Sequence, residues 1–234
     1  MNREKARALM EKYPRLIHTI LNVINRMPFN NSIRMTPNNT LSWSGLLKDC
    51  RIEVTGRDNV ILVKDYARLN KCCISIHGNN NVVEVHDWAF MHSGEIVIED
   101  DNNGIFVGQN TIISGKTHLA AIEGTKIRIG DNCLFSSNIT IRTGDSHSIL
   151  SWDGGNRINM SKSVEVCDRV WVGNGATILK GVTIQSHSVV GTQAVVTKSP
   201  GESNCVLAGN PARIIKSSIK WCPERVHIDV NKER

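Results

Sequence analysis

Long apolar runs are missing from this chain of 234 residues. None reaches the ~18–20 residues that a membrane-spanning helix needs, and the N-terminus lacks the apolar stretch of a signal peptide. Cysteine pairs are missing too: the seven cysteines are unevenly spaced, Cys72 and Cys73 are adjacent, and no CxxC occurs. Neither a disulfide framework nor a zinc site is indicated, and the expected setting is reducing and cytoplasmic. Aromatic residues are scarce, at 5%. With no nucleic-acid-binding motif either, the composition argues against a nucleic-acid partner, despite a net charge of +6. That charge sits at the ends. Residues 1–30 carry six Lys/Arg against two Glu, residues 213–234 carry six against three acids, and the 182 residues between hold sixteen basic and seventeen acidic groups. The body is neutral, so only the ends would attract anions.

What is present is rhythm. Val166, Val172, Ile178, Ile184, Val190 and Val196 recur every six residues, each followed after four by a small or branched residue: Val170, Ala176, Val182, Ser188, Ala194. A helix would smear a six-residue period around its circumference. A coil of three short strands joined by tight corners preserves it. Upstream the period lengthens to 22: Asn59, Asn81 and Asn103; Val63, Val85, Val107 and Ile129; Ala67, Ala89, Thr111 and Cys133. These read as coils of the same solenoid with extra residues at a corner, stacked on one continuous core. The ten apolar residues from Val63 to Val196 are expected in one inward column, with the cysteines as small core fillers. Ahead of the repeats, Leu16, Ile17, Ile20, Leu21, Val23 and Ile24 form a broad apolar helical face after Pro14. Capping the open end of the solenoid is favoured for it over contact with a partner or with a membrane surface.

From Val170 to Lys216, "VWVGNGATILKGVTIQSHSVVGTQAVVTKSPGESNCVLAGNPARIIK" resembles the closing coils and tail of the hexapeptide-repeat acyltransferases. The similar branch holds the serine, maltose, galactoside and capsular polysaccharide O-acetyltransferases. The resemblance covers roughly residues 100–220; upstream only the architecture carries over. It implies an all-β fold, a left-handed parallel β-helix, with three chains as a homotrimer and acetyl-CoA as cosubstrate between neighbouring subunits. On this reading residues 1–30 are an N-terminal helical segment and 40–198 the β-helix. A catalytic loop is inserted at about 142–163, and 199–234 form a tail contributing to CoA binding.

The rhythm breaks once. Ile127 to Val164 spans 37 residues where 22 would serve, and "TGDSHSI" within it is similar to the catalytic-loop motif of the capsular branch. Acetyl transfer to a hydroxyl needs a base, and His147 is the candidate. Asp145 either orients the loop, stabilises the imidazolium, or turns a corner. The resemblance places Trp171 beside the thiol arm of the cofactor and the amides of Asn174 and Thr192 on its pantetheine, with the Asn174 amide a candidate oxyanion donor. It places Lys198, Arg213 and Lys216, with Thr197 beside them, at the CoA phosphates, which need cations. Trp152, Asp153, Asn156 and Arg157 offer stacking and hydrogen-bonding groups for an acceptor sugar, and Asn210-Pro211 a rigid turn into the tail. His77, His86, His92 and His118 do not recur at one corner and are read as ordinary surface histidines, as is His187; no metal is expected. The expected function is O-acetylation of a sugar or bacterial surface glycan. The alternatives are N-acetylation of an amino sugar or a non-catalytic scaffold.

Overall fold

The computed structural model describes residues 8–9, 12–25, 27 and 30–226. Residues 32–216 wind into a parallel β-helix with three faces. The first face has eight strands, from Ser32–Met35 through Arg51–Thr55, Cys73–His77, Gly94–Glu99, Thr117–Ala121, Ile139–Arg142 and Thr177–Ile178 to Val195–Val196. The second has seven, from Thr40–Trp43 to Thr183–Ile184, and the third has nine, from Leu46–Lys48 to Ala212–Lys216. Every pairing is parallel except the last, where Ala212–Lys216 folds back antiparallel on Val206–Gly209 through a cis Asn210–Pro211 peptide. Because Ser32–Met35 pairs with Arg51–Thr55, the coils begin ahead of residue 40. A helix, Pro14–Asn25, lies against the strand Leu46–Lys48.

The expected inward residues are all buried, but they form three columns rather than one. Val63, Val85, Val107, Ile129, Val166 and Ile184 stack on the second face. Val172 stacks with Val190 on the third face, and Ile178 with Val196 on the first. A six-residue step is one side of a triangle, so consecutive members of the series point inward from consecutive faces. The longer upstream period also has a different origin from extra residues at a corner. Upstream strands on two faces are longer and carry two inward residues each, as with Ile74 and Ile76, then Val83 and Val85, where the later strands carry one, Ile178 and then Ile184. The corner ahead of the third face turns on left-handed, non-glycine residues. Trp88, Asn110, Asn132, Arg169 and His187 have φ of 54–62°, and each amide there donates to the coil below at 2.8–3.1 Å. Four of the seven cysteines are buried, none is in a disulfide, and burial pushes the Cys133 thiol up to about 12.

A polar ladder runs up the inside of another corner. Asn59 Nδ2 donates to Asn39 Oδ1 at 2.9 Å, Asn81 Nδ2 to Asn59 Oδ1 at 3.0 Å, and Asn103 Nδ2 to Asn81 Oδ1 at 3.2 Å. The backbone amides of Asn59, Asn81 and Asn103 donate to the same oxygens. Thr125 continues the ladder by donating its amide to Asn103 Oδ1 and its hydroxyl to Thr143 Oγ1 at 2.6 Å. Asn59, Asn81 and Asn103 are at most 2% exposed, so losing one rung leaves its neighbours unpaired in a dry interior. Replacing Asn81 with Ala should cost about 2–4 kcal/mol in urea unfolding. The half-buried Asn79 lies on the outer side of its corner, and Asn79→Ala should cost less, about 1 kcal/mol. Equal losses would remove the ladder from the stability account.

Candidate active site

The insertion leaves the coil at the corner between the first and second faces. Its ends are already closed on each other: the Lys162 amide donates to the Thr143 carbonyl at 2.8 Å, and Val164 pairs directly with Ile127. Residues 144–161 are therefore an excursion from an otherwise intact coil. A short hairpin forms its outer part, with Ile158 donating to the Ile149 carbonyl at 2.9 Å and Ser151 to that of Asn156 at 2.8 Å. Trp152 at its tip is fully exposed. His147 is exposed at its base, just after Ser146 (φ 63°), whose hydroxyl accepts from Arg142 Nη2 at 2.9 Å.

Two devices fix this loop. In the first, Asn159 Nδ2 donates to the His147 carbonyl at 2.7 Å and to Asp145 Oδ2 at 2.8 Å. Lys180 reaches back from the next coil to the same Asp145 oxygen and to the Asn159 carbonyl. The Lys180 ammonium, with burial opposing and the Asn159 amide assisting, holds the Asp145 carboxyl below its ordinary range. Asp145 thus braces the backbone that carries His147 through its bonds to Asn159 and Lys180. In the second device, Arg157 donates to Glu123 and, through Nε, to Asn159 Oδ1 at 3.2 Å, while the Ser161 amide donates to Glu123 Oε2 at 3.2 Å. Arg157, expected at the acceptor, takes part in this tether. Asn156 is held by its amide on Ser151 Oγ at 3.2 Å.

The residues expected around the cofactor stand at a different corner, between the third and first faces. Trp171 pairs with Leu134 and Val189, is 42% exposed, and has the Trp221 ring at 6.2 Å. Trp221 is fixed by Nε1 donating to the Arg169 carbonyl at 2.8 Å. Asn174 donates its side chain to Ser137 Oγ at 2.6 Å, and its carbonyl accepts from Gln193. Among the described residues neither the Asn174 nor the Thr192 amide has an acceptor, so both are open to a ligand carbonyl. Gly173 lets this corner close: a Cβ there would meet the Thr192 nitrogen at 2.7 Å. One coil further on, Ala208 pairs with Arg213 on the closing hairpin and Val206 with Lys216. Thr197 and Lys198 are not at this corner. They follow Val196 on the first face and so lie on the Lys180 side, with the insertion. Lys198, Arg213 and Lys216 are exposed and have no ion-pair partner among the described residues.

The other histidines are dispersed, each with its own neighbours: His77 with Thr55 and Ser75, His86 with Glu84, His118 with Glu95, and His92 beside Phe90. No group of three metal-ligating side chains converges among the described residues. Lys180, Asn159, Glu123 and Trp221 are the site residues that sequence reasoning missed. Lys180 had a signal, since continuing the Ile141–Ile178 register sets it directly above Thr143.

No family model matches the chain. The polysialic acid O-acetyltransferase of Escherichia coli O1:K1 / APEC is 32% identical over 117 residues, 50% of this chain and 38% of that protein. The polysialic acid O-acetyltransferase of Neisseria meningitidis is 33% identical over 113 residues, 48% of this chain and 53% of that protein. The chain therefore matches little more than half, at most, of the length of these curated relatives. The crystal structure of the polysialic acid O-acetyltransferase OatWY is 29% identical, with a TM-score of 0.77 over 87% of this chain and 96% of that one. In both sequence and fold the chain is similar to polysialic acid O-acetyltransferases. Its solenoid shares the left-handed parallel β-helix fold of that structure, and the excursion at residues 144–161 is what departs from the regular coil.

The tether predicts a pH response. Glu123 is held down to about 2 from 4.5, first by the Arg157 guanidinium and then by Ser161. A carboxyl with a depressed folded pKa stabilises above its unfolded value, and that contribution fades as pH falls through the folded one. The insertion should therefore resist pepsin at about pH 4 and yield as pH nears about 2. Glu123→Gln should be cleaved in the insertion already at about pH 4; identical digestion of both proteins would remove the tether.

Proposed function

We propose that this protein transfers acetyl from acetyl-CoA to a hydroxyl of a sugar or bacterial surface glycan. The observation that carries this is the closed excursion of residues 144–161, which lifts His147 off a regular prism and braces its backbone through Asn159, Asp145 and Lys180. The His147 imidazole takes the hydroxyl proton as the oxygen attacks the thioester carbonyl. The Asn174 amide donates to the oxyanion. The C–S bond then breaks, and the imidazolium returns the proton to the departing thiolate, leaving an ester and CoA. Hexapeptide-repeat relatives include polysialic acid O-acetyltransferases, which supports a glycan acceptor. Trp152 supplies an exposed aromatic face on the same excursion as His147.

The division of the site between two corners supports a homotrimer. His147, Thr197 and Lys198 stand at one corner of the prism; Trp171, Asn174, Thr192 and Arg213 belong to the other. The width of the first face lies between them. A neighbouring copy that sets its Trp171 corner against the His147 corner completes one site, and threefold closure gives three.

His147→Ala should lower turnover by about 10²–10⁴ while leaving CoA affinity nearly unchanged; an active variant would move the base elsewhere. Lys198→Ala and Lys216→Ala should weaken CoA more than a pantetheine fragment, and unchanged CoA affinity in both would overturn the phosphate assignment. The acetyl group on the product should leave in mild alkali, as an ester does. An alkali-stable acetyl would mark an amide and favour an amino-sugar acceptor.

A further inference from the structure

The helix Pro14–Asn25 turns only part of its apolar surface toward the solenoid. Ile17, Leu21 and Ile24 are half-buried, whereas Leu16, Ile20 and Val23 are 60%, 48% and 55% exposed. Leu9, Tyr13 and Met27 are exposed as well and extend the row in both directions. On a helical wheel Leu16, Ile20 and Val23, with Tyr13 just ahead of the helix, fall within an arc of about 80°. The half-buried three bound one side of this arc, toward the solenoid. Lys12 and Arg15, both exposed, bound the other, with Lys12 Nζ 5.3 Å from the Tyr13 ring centroid. Over residues 1–30 the sequence holds six Lys/Arg against two Glu.

We propose that this face docks on an anionic membrane surface, with the helix lying in the headgroup plane and its apolar row in the acyl boundary. An apolar arc edged by cations has the complementarity that such a surface requires. A second copy of the same helix fits the spacing of the row but not its charge, because residues 12–25 hold no carboxylate to face Lys12 and Arg15. Among the described residues no helix is long and apolar enough to cross the membrane, so the contact is with the surface alone. It lies at the first-coil end of the prism. In the proposed trimer the three helices would share that end, and binding would gain from their multiplicity.

The test is co-sedimentation of the full chain with vesicles of phosphatidylcholine, alone or mixed with phosphatidylglycerol. The unaltered protein should prefer the anionic vesicles by about tenfold or more, and lose the preference at high salt. Leu16→Glu/Ile20→Glu should abolish sedimentation, and Lys12→Glu/Arg15→Glu should reduce it about tenfold. Both pairs lie on exposed positions and should leave solution turnover and the circular dichroism spectrum unchanged. Equal binding to both vesicle types, or unchanged sedimentation of either variant, would overturn the proposal. So would a fall in oligomer size for Leu16→Glu/Ile20→Glu without vesicle binding by the unaltered chain, which would assign the face to a second copy.

Discussion

The asparagine ladder governs where this chain turns. A parallel β-helix made only of aliphatic columns is nearly degenerate in register, since a valine stacks on an isoleucine almost as well in one coil as in the next. A buried carboxamide is less tolerant. Asn59, Asn81 and Asn103 each satisfy the coil above and the coil below, so a slip of a single residue would strand several polar groups in a dry interior. That penalty fixes each corner and therefore the length of every upstream coil. The ladder ends through Thr125 on Thr143, the last coil residue before the excursion. The scaffold's strictest constraint thus sets the point of departure of its one irregular segment.

From that point the remaining site geometry follows. An ideal coil directs side chains into the core or straight outward, and neither direction places a base over a cofactor lying along the prism. The excursion lifts His147 off the coil, and its closed ends leave the coil undisturbed while two tethers on neighbouring coils hold it. Glu123 belongs to the coil below and Lys180 to the coil above. The loop is positioned by the same stacking that builds the core, so its orientation depends on coil register as well as on its own sequence.

Much of this was written in the sequence in periodic form. The 22-residue spacing of the asparagines and valines marks the coils, and the 37 residues from Ile127 to Val164 mark the excursion and its histidine. What was not legible depends on which residues become neighbours after winding. Asp145 finds Lys180 35 positions away and Arg157 finds Glu123 34 away, distances that no local motif encodes. Trp221 reaches back 52 residues to Arg169. The single inward column expected from the six-residue beat became three, because periodicity reports the repeat length and not the shape of the cross-section.

The central proposal is that the prism is scaffold and cofactor cradle while the excursion supplies the catalytic base. Its most direct test is to replace residues 146–160 with a short Gly/Ser link, which the existing Lys162–Thr143 hydrogen bond should accommodate, and to measure acetyl transfer beside CoA binding by calorimetry. The account predicts a folded protein of unchanged oligomeric size that binds CoA and transfers no acetyl group above background. Transfer at an undiminished rate by the shortened protein would contradict it.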